Sequence, residues 1–114
     1  MKKLLIVPVI ALMSVSFTPV ASASNIAQNV CEYVSVDDKK RLRSYLKINK
    51  LKIRNIFDGV LCNGQNLLQF ASSHNAVKAG SLMINKLPKS TVASVMSTIS
   101  SDELSAAAEK RVNG

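Results

Sequence analysis

Two cysteines, Cys31 and Cys62, constrain the fold of this chain of 114 residues more than any other feature. A bond between them would close a loop of about 30 residues, for which the chain-entropy model gives roughly 3–4 kcal/mol of stabilisation. A typical domain is stable by only about 5–15 kcal/mol, so this contribution would be large. Asn63 and Gly64 follow Cys62 and are typical of a turn or of a helix cap. The bond would therefore hold this turn against the segment around Cys31.

The start of the chain indicates that it is exported. Met1-Lys2-Lys3 precedes an apolar run from Leu4 to Val15, and a small-residue exit ends in Ala21-Ser22-Ala23. This order is typical of a bacterial secretory signal, and we predict residues 1–23 as the signal peptide. The alternative is an uncleaved membrane anchor, which needs an apolar run of about 20 residues. The shorter run favours the signal, and no membrane span is expected in residues 24–114.

Export would place both cysteines in an oxidising compartment, where pairing is the default. Two alternatives stay open from the residues alone: two buried free thiols, or a redox-active pair. A redox catalyst more often carries Cys-x-x-Cys with a lowered thiol pKa, so the wide separation of Cys31 and Cys62 disfavours that role. We expect an exported protein and favour the periplasm over the medium.

Removal of the signal leaves 91 of the 114 residues, enough for one domain with a modest core. The apolar spacing predicts an all-α fold, a small bundle of four to six short helices tied by one disulfide. We assign residues 24–88 to a disulfide-stabilised helical domain. We expect residues 89–114 to form a Ser- and Ala-rich tail, helical or partly disordered.

Periodicity predicts the first two helices over residues 24–34 and 38–49, the second beginning at the acidic turn Asp37-Asp38. A short helix that begins near Ile53 and stops at Asp58-Gly59 is favoured, although residues 51–54 alternate like a strand. A helical hairpin is predicted over residues 64–87: its first helix runs from Gly64 to about Ser73, and Pro88 ends the second.

An apolar stripe continues beyond Pro88 at Val92, Val95, Met96 and Ile99, and Ser100-Ser101-Asp102-Glu103 offers a capping box before a helix over residues 104–112. We predict two short peripheral helices here, with a frayed tail as the alternative. One functional hypothesis is that this apolar stripe binds a protein partner.

The neighbourhoods of the two cysteines carry a resemblance. With Cys31 near the predicted mature start, a basic helix, and Cys62-Asn63-Gly64 leading into Leu67 to Ala71, the chain resembles a family of small exported bacterial proteins with a domain of unknown function. The resemblance covers about residues 25–87. It implies that the paired cysteines belong to the domain, and it brings no activity or cofactor.

Charge is the strongest functional feature. The net charge of +8 falls to +6 once Lys2 and Lys3 are removed with the signal. Basic residues are dense between positions 39 and 54, and helical spacing places four of them on one stripe, which we predict as an anion-binding surface: Lys40, Arg43, Lys47 and Lys50.

Like charges at this spacing repel, by a few tenths of a kcal/mol per pair, and an anionic partner would offset that cost. The candidates are an anionic envelope lipid, lipopolysaccharide or an acidic protein. Nucleic acid is disfavoured, because the stripe lacks interleaved aromatic residues. The competing interpretation is an ordinary solvated helix face.

Catalytic signals are weak. His74 is the only histidine and lies in a polar stretch, Ser72-Ser73-His74-Asn75. The carboxylate pairs Asp37-Asp38 and Asp102-Glu103 precede helical segments and suit capping. We therefore predict no catalytic residue, no cofactor, no metal site and a non-enzymatic binding domain. The alternative is a small enzyme or enzyme accessory with a site near Cys62 and His74.

Overall fold

The computed structural model describes residues 23–114, so the predicted signal peptide lies outside the described residues except for Ala23. The all-α fold is confirmed. The helices in this part of the chain are α1 (Ala23–Ser35), α2 (Lys39–Ile48), α3 (Ile53–Ile56), α4 (Leu67–Ser73), α5 (Val77–Lys86), α6 (Lys89–Val95) and α7 (Asp102–Asn113). These are seven helices where the sequence predicted four to six, and no helix among residues 23–114 is long and apolar enough to span a bilayer.

Three helices end in the same way, with one residue in the left-handed region. The residues are Asp37 after α1 (φ 55°), Lys50 after α2 (φ 54°) and Asn75 after α4 (φ 53°). In each case the next N–H donates back across the last turn over 2.8 Å: Asp38 to the Tyr33 carbonyl, Leu51 to the Leu46 carbonyl, and Ala76 to the Ala71 carbonyl. This Schellman geometry satisfies helix carbonyls that would otherwise lack a partner.

The turn after Cys62 is confirmed, and because of it α4 begins later in the chain than the sequence predicted. Cys62 and Gln65 exchange two backbone hydrogen bonds of 2.8 and 2.9 Å. Asn63 and Gly64 between them have φ values of 54° and 79°, the combination typical of a type I′ turn. A right-handed helix cannot include such residues, so the predicted start at Gly64 is wrong. The helix begins at Leu67, where the Asn66 side chain accepts a hydrogen bond of 2.7 Å from the Gln69 N–H.

The disulfide joins α1 to this turn. Cys31 and Cys62 are bonded, with their Cα atoms 5.7 Å apart. Cys62 is 3% exposed and belongs to the hydrophobic core. The pairing expected from export is therefore confirmed, and neither cysteine is a free thiol.

Helix α5 lies at the centre of the described structure, because it contacts α1, α2, α3, α4 and α7. Its buried residues include Ala79, Gly80, Met83 and Ile84. The hydrophobic core contains buried side chains from every α-helix, among them Val30, Leu42, Ile53, Leu68, Val92 and Leu104. Residues on both sides of Pro88 thus share one core.

The segment after Pro88 is helical, and it is less peripheral than the sequence predicted. Helix α7 packs against α5 and α6, and its Leu104 and Ala108 are fully buried. A Cβ on Gly80 of α5 would lie 2.7 Å from both Leu104 methyl carbons, so the two helices approach closely because Gly80 has no side chain. The stripe proposed as a partner surface also faces inward, since Val92 and Ile99 are buried and Val95 and Met96 pack against the core.

Candidate functional site

A cleft of about 550 Å³ opens where α2, α3, α5 and α7 meet. Six basic residues line it, and we call them the basic cleft: Arg43, Lys47, Lys52, Arg54, Lys86 and Arg111. The remaining lining includes four apolar residues, Leu46, Leu51, Ile53 and Leu82. None of the lining residues is acidic. The cleft therefore combines a positive rim with an apolar floor.

The end of α2 shapes one wall of the cleft. Lys50 is in the left-handed region, and the Leu51 N–H then bonds the Leu46 carbonyl. This reversal brings the next segment back beside α2, so that Lys52 and Arg54 line the same cleft as Arg43 and Lys47. The tight turn is thus the reason that the basic residues after α2 lie beside those of α2 itself.

The predicted stripe of four basic residues is divided by the fold. Lys40, Arg43 and Lys47 are exposed on α2, and they line another, smaller groove together with Lys39 and Ser44. Lys50 lies beyond the end of α2 at Ile48 and lines neither depression. Its predicted place on a helical stripe is wrong, because the helix stops before it.

The charges of the basic cleft are not compensated by carboxylates. Among residues 23–114 the structure contains one ion pair, from Arg41 to Asp38 at 3.4 Å, and it lies outside the cleft. Arg43, Lys47, Lys52, Arg54 and Lys86 are exposed. Close cations without counter-ions raise the local positive potential and attract anions.

Helix ends compensate part of this charge. Lys47, Arg54, Lys86 and Arg111 each occupy the last turn of a helix, where the backbone carbonyls carry partial negative charge. A cation in the last turn of a helix is stabilised by typically about 0.3–1 kcal/mol, so these positions lower the cost of holding the four side chains together but leave each of them charged. The basic cleft remains positive.

Arg111 differs from the other members of the basic cleft because it is half-buried. Its Nη2 donates a hydrogen bond of 3.0 Å to the Leu87 carbonyl at the end of α5. Its Nε is buried and has no acceptor within the described part of the chain. A buried donor without a partner costs roughly 1–3 kcal/mol, and nothing in the fold accounts for this one.

His74 and Cys62 offer few functional groups in this state. The His74 side chain is exposed at the end of α4, with its ring 4.2 Å from that of Phe70 between centroids. The Cys62 sulfur is bonded to Cys31 and supplies no thiolate while oxidised. Residues 23–114 contain no group of three or more metal-ligating side chains.

The acidic pairs serve helix starts. Asp38 caps α2 by accepting a hydrogen bond of 3.0 Å from the Arg41 N–H, and Asp37 accepts bonds from the first turn of α5. Asp102 and Glu103 lie in the first turn of α7. Asp38, Asp102 and Glu103 thus lie at the start of the following helix, as expected from the sequence, whereas Asp37 caps α5 and not α2.

Four of the six residues of the basic cleft were absent from the predicted stripe. Lys52 and Arg54 belong to the recognised run of basic residues but not to the predicted stripe. Lys86 and Arg111 lie far along the chain, and the only signal for them is a basic residue in the last turn of a helix. That signal is common, so it does not identify a site.

Comparisons with known proteins show which family the chain belongs to. No curated protein and no solved structure matches the chain. A family model described as "Protein of unknown function (DUF3718)" matches residues 30–106, which include both cysteines and five of the six residues of the basic cleft. The match covers well over half of the 114 residues. The chain therefore belongs to this family of unknown function, as the neighbourhoods of its cysteines predicted.

Proposed function

We propose that this protein is an exported, non-enzymatic binding domain that engages an anionic component of the cell envelope through the basic cleft and the outer face of α2. The observation that carries the proposal is the convergence of six basic side chains from separate elements on one cleft without an acidic residue in its lining. An anionic lipid or lipopolysaccharide is the favoured partner, and an acidic protein is the alternative.

The disulfide supports export. Disulfides persist in oxidising compartments, and the Cys31–Cys62 bond fits the secretory signal predicted at residues 1–23. We favour the periplasm, where anionic headgroups are abundant on neighbouring membrane surfaces. The exposed Ile48, which is 77% accessible at the end of α2, adds an apolar contact beside the basic face.

The test is binding of the processed, oxidised protein to vesicles over a salt series. One set of vesicles contains anionic phospholipid and the other only zwitterionic phospholipid. We expect binding to the anionic vesicles alone, and we expect it to weaken as salt screens the charges. The double variant Arg43→Glu/Lys47→Glu should bind at least roughly thirtyfold more weakly, since each basic residue near an anionic surface contributes about 1 kcal/mol.

A matched control separates the site from net charge. Lys89→Glu/Lys110→Glu changes the net charge by the same amount at exposed positions that do not line the basic cleft. It should retain most of the binding. Equal losses in both double variants would mean that overall charge, and not the cleft, attracts the vesicles, and an absence of binding by the unchanged protein would remove the lipid partner.

The competing proposal is a small enzyme or enzyme accessory with a site near Cys62 and His74. His74→Ala discriminates between the two, because the side chain is exposed and its loss should leave the fold intact. A binding domain that uses the basic cleft keeps its vesicle affinity in this variant. Loss of a cellular phenotype with vesicle binding unchanged would favour the enzyme.

A further inference from the structure

We propose that the basic cleft binds a phosphate monoester group and that Arg111 anchors it. This inference rests on the proposed function and specifies its ligand. Arg111 is the one half-buried cation among the six lining residues, and the Leu87 carbonyl holds its guanidinium in place. Its Nε is buried and lacks an acceptor, whereas the rest of the guanidinium lines the cleft, where an anion supplies a counter-charge and accepts from the accessible N–H groups.

The number and kind of cations select the anion. A carboxylate carries one negative charge, whereas a phosphate monoester carries about 1.5 to 2 at neutral pH and presents three strong acceptor oxygens. Arg43, Arg54 and Arg111 are three of the six cations of the cleft. A planar guanidinium binds two phosphate oxygens at once, which an ammonium group does not.

The shape of the cleft indicates what carries the phosphate. A volume of about 550 Å³ lies within the range of small-molecule sites, roughly 300–1,000 Å³. It exceeds what an isolated phosphate fills, and the floor beneath the cations is apolar, at Leu46, Leu51, Ile53 and Leu82. The phosphate can belong to a lipid headgroup or to a soluble phosphate ester, and the experiment distinguishes these sources.

The experiment is calorimetric titration of the processed, oxidised protein with three soluble probes. Dihexanoyl phosphatidate carries a phosphate monoester on two short acyl chains. Dihexanoyl phosphatidylglycerol has the same chains on a singly charged diester, and glycerol 3-phosphate has the monoester without chains. We expect phosphatidate to bind about tenfold or more tightly than phosphatidylglycerol, because the additional charge and the third terminal oxygen meet the arginines.

Comparison of the monoesters identifies the source. Tighter binding of phosphatidate than of glycerol 3-phosphate supports the site and assigns a lipid headgroup, because only the chains differ. Equal binding also supports the site and assigns a soluble phosphate ester. In either case, the Nε–Hε NMR signal of Arg111 should shift during the titration.

Variants test the role of Arg111. Arg111→Gln should weaken phosphatidate binding about tenfold or more. Arg111→Lys should restore only part of the affinity, because lysine keeps the positive charge but lacks the planar pair of N–H donors of a guanidinium. Lys110→Gln removes the neighbouring exposed charge, does not alter the cleft lining, and should change the affinity less than about twofold. If thermal melting shows that Arg111→Gln is unfolded, Arg43→Gln/Arg54→Gln replaces two exposed arginines and should cause a similar loss.

Three results would overturn the inference. They are equal binding of the monoester and the diester, unchanged binding by folded Arg111→Gln, and no binding of any soluble probe. If soluble probes fail while anionic vesicles still bind, the phosphate site is refuted and the proposed function stands. If vesicles fail as well, the phosphate site is refuted and the lipid partner of the proposed function is removed, which leaves an acidic protein as the partner.

Discussion

The carboxylate of Asp37 accepts a hydrogen bond of 2.7 Å from the backbone N–H of Ala79, which lies 42 positions further along the chain. Its other carboxylate oxygen accepts a hydrogen bond of 3.4 Å from the backbone N–H of Lys78. These N–H groups belong to the first turn of α5, whose own N-cap residue, Ala76, has no capping side chain. Asp37 therefore performs from the end of α1 the role that an Asp at the N-cap would perform locally.

The Asp37 contact predicts a graded loss of stability. Asp37→Asn keeps an acceptor and tolerates the left-handed backbone, so it should cost about 1 kcal/mol or less. Asp37→Ala loses the cap and forces alanine into the left-handed region, for a loss of roughly 2–3 kcal/mol. Urea unfolding measures both. Glu109→Gln, which removes an exposed charge on α7, is the control and should be neutral. Equal stability of the alanine variant and the unchanged protein would contradict the capping role.

Replacement of Lys50 should stabilise the protein. Lys50 has a φ of 54° and ends α2 in a position where glycine has no steric penalty. Lys50→Gly should gain about 0.5–1 kcal/mol, since release from the left-handed penalty exceeds the additional entropy lost on folding. The midpoint of thermal unfolding measures the gain. Anionic-vesicle affinity should change little, because Lys50 does not line the basic cleft; a large loss would return Lys50 to the anion-binding surface.

Alanine should change the stability differently at two glycines, because Gly80 lies at the contact between α5 and α7 and Gly59 does not. Gly80→Ala would place a methyl group 2.7 Å from the Leu104 methyl carbons, in a fully buried site. Such overpacking costs about 1–3 kcal/mol, more than the roughly 1 kcal/mol that alanine gains in a helix. Gly59→Ala meets nothing within 4 Å and should be neutral or stabilising. Urea unfolding compares the two variants, and a stabilised Gly80→Ala would mean that Leu104 moves freely.

Loss of the disulfide should be costly. The double variant Cys31→Ala/Cys62→Ala releases α1 from the turn at Asn63 and Gly64, and the chain-entropy model gives a loss of roughly 3–4 kcal/mol. The urea midpoint of the double variant, compared with that of the oxidised protein, measures this. Reduction of the unchanged protein should lower the midpoint similarly. A midpoint that does not fall would show that the contacts of α1 with α2, α4 and α5 hold it without the disulfide.

Most helices could be predicted because their causes are local. Leu42 and Leu46 recur at helical spacing, and Asp38 precedes them as a cap, so α2 followed from neighbouring residues. The turn at Asn63-Gly64 also followed from residue type. The start of α4 was misplaced by three residues, because the same two residues suit a turn and a helix cap equally well in sequence.

The all-α class and the density of positive charge between residues 39 and 54 could be predicted from the residues alone, and cysteine pairing was the favoured interpretation that the structure confirms. Which of the charges lie together depends on the tertiary structure. The left-handed Lys50 turns the chain back on α2, and the packing of α7 on α5 brings Arg111 to the cleft. The spacing of apolar residues indicates which face of a helix is buried, but it does not indicate which helices are neighbours. The basic cleft depends on neighbours, so no single stretch of sequence contains it.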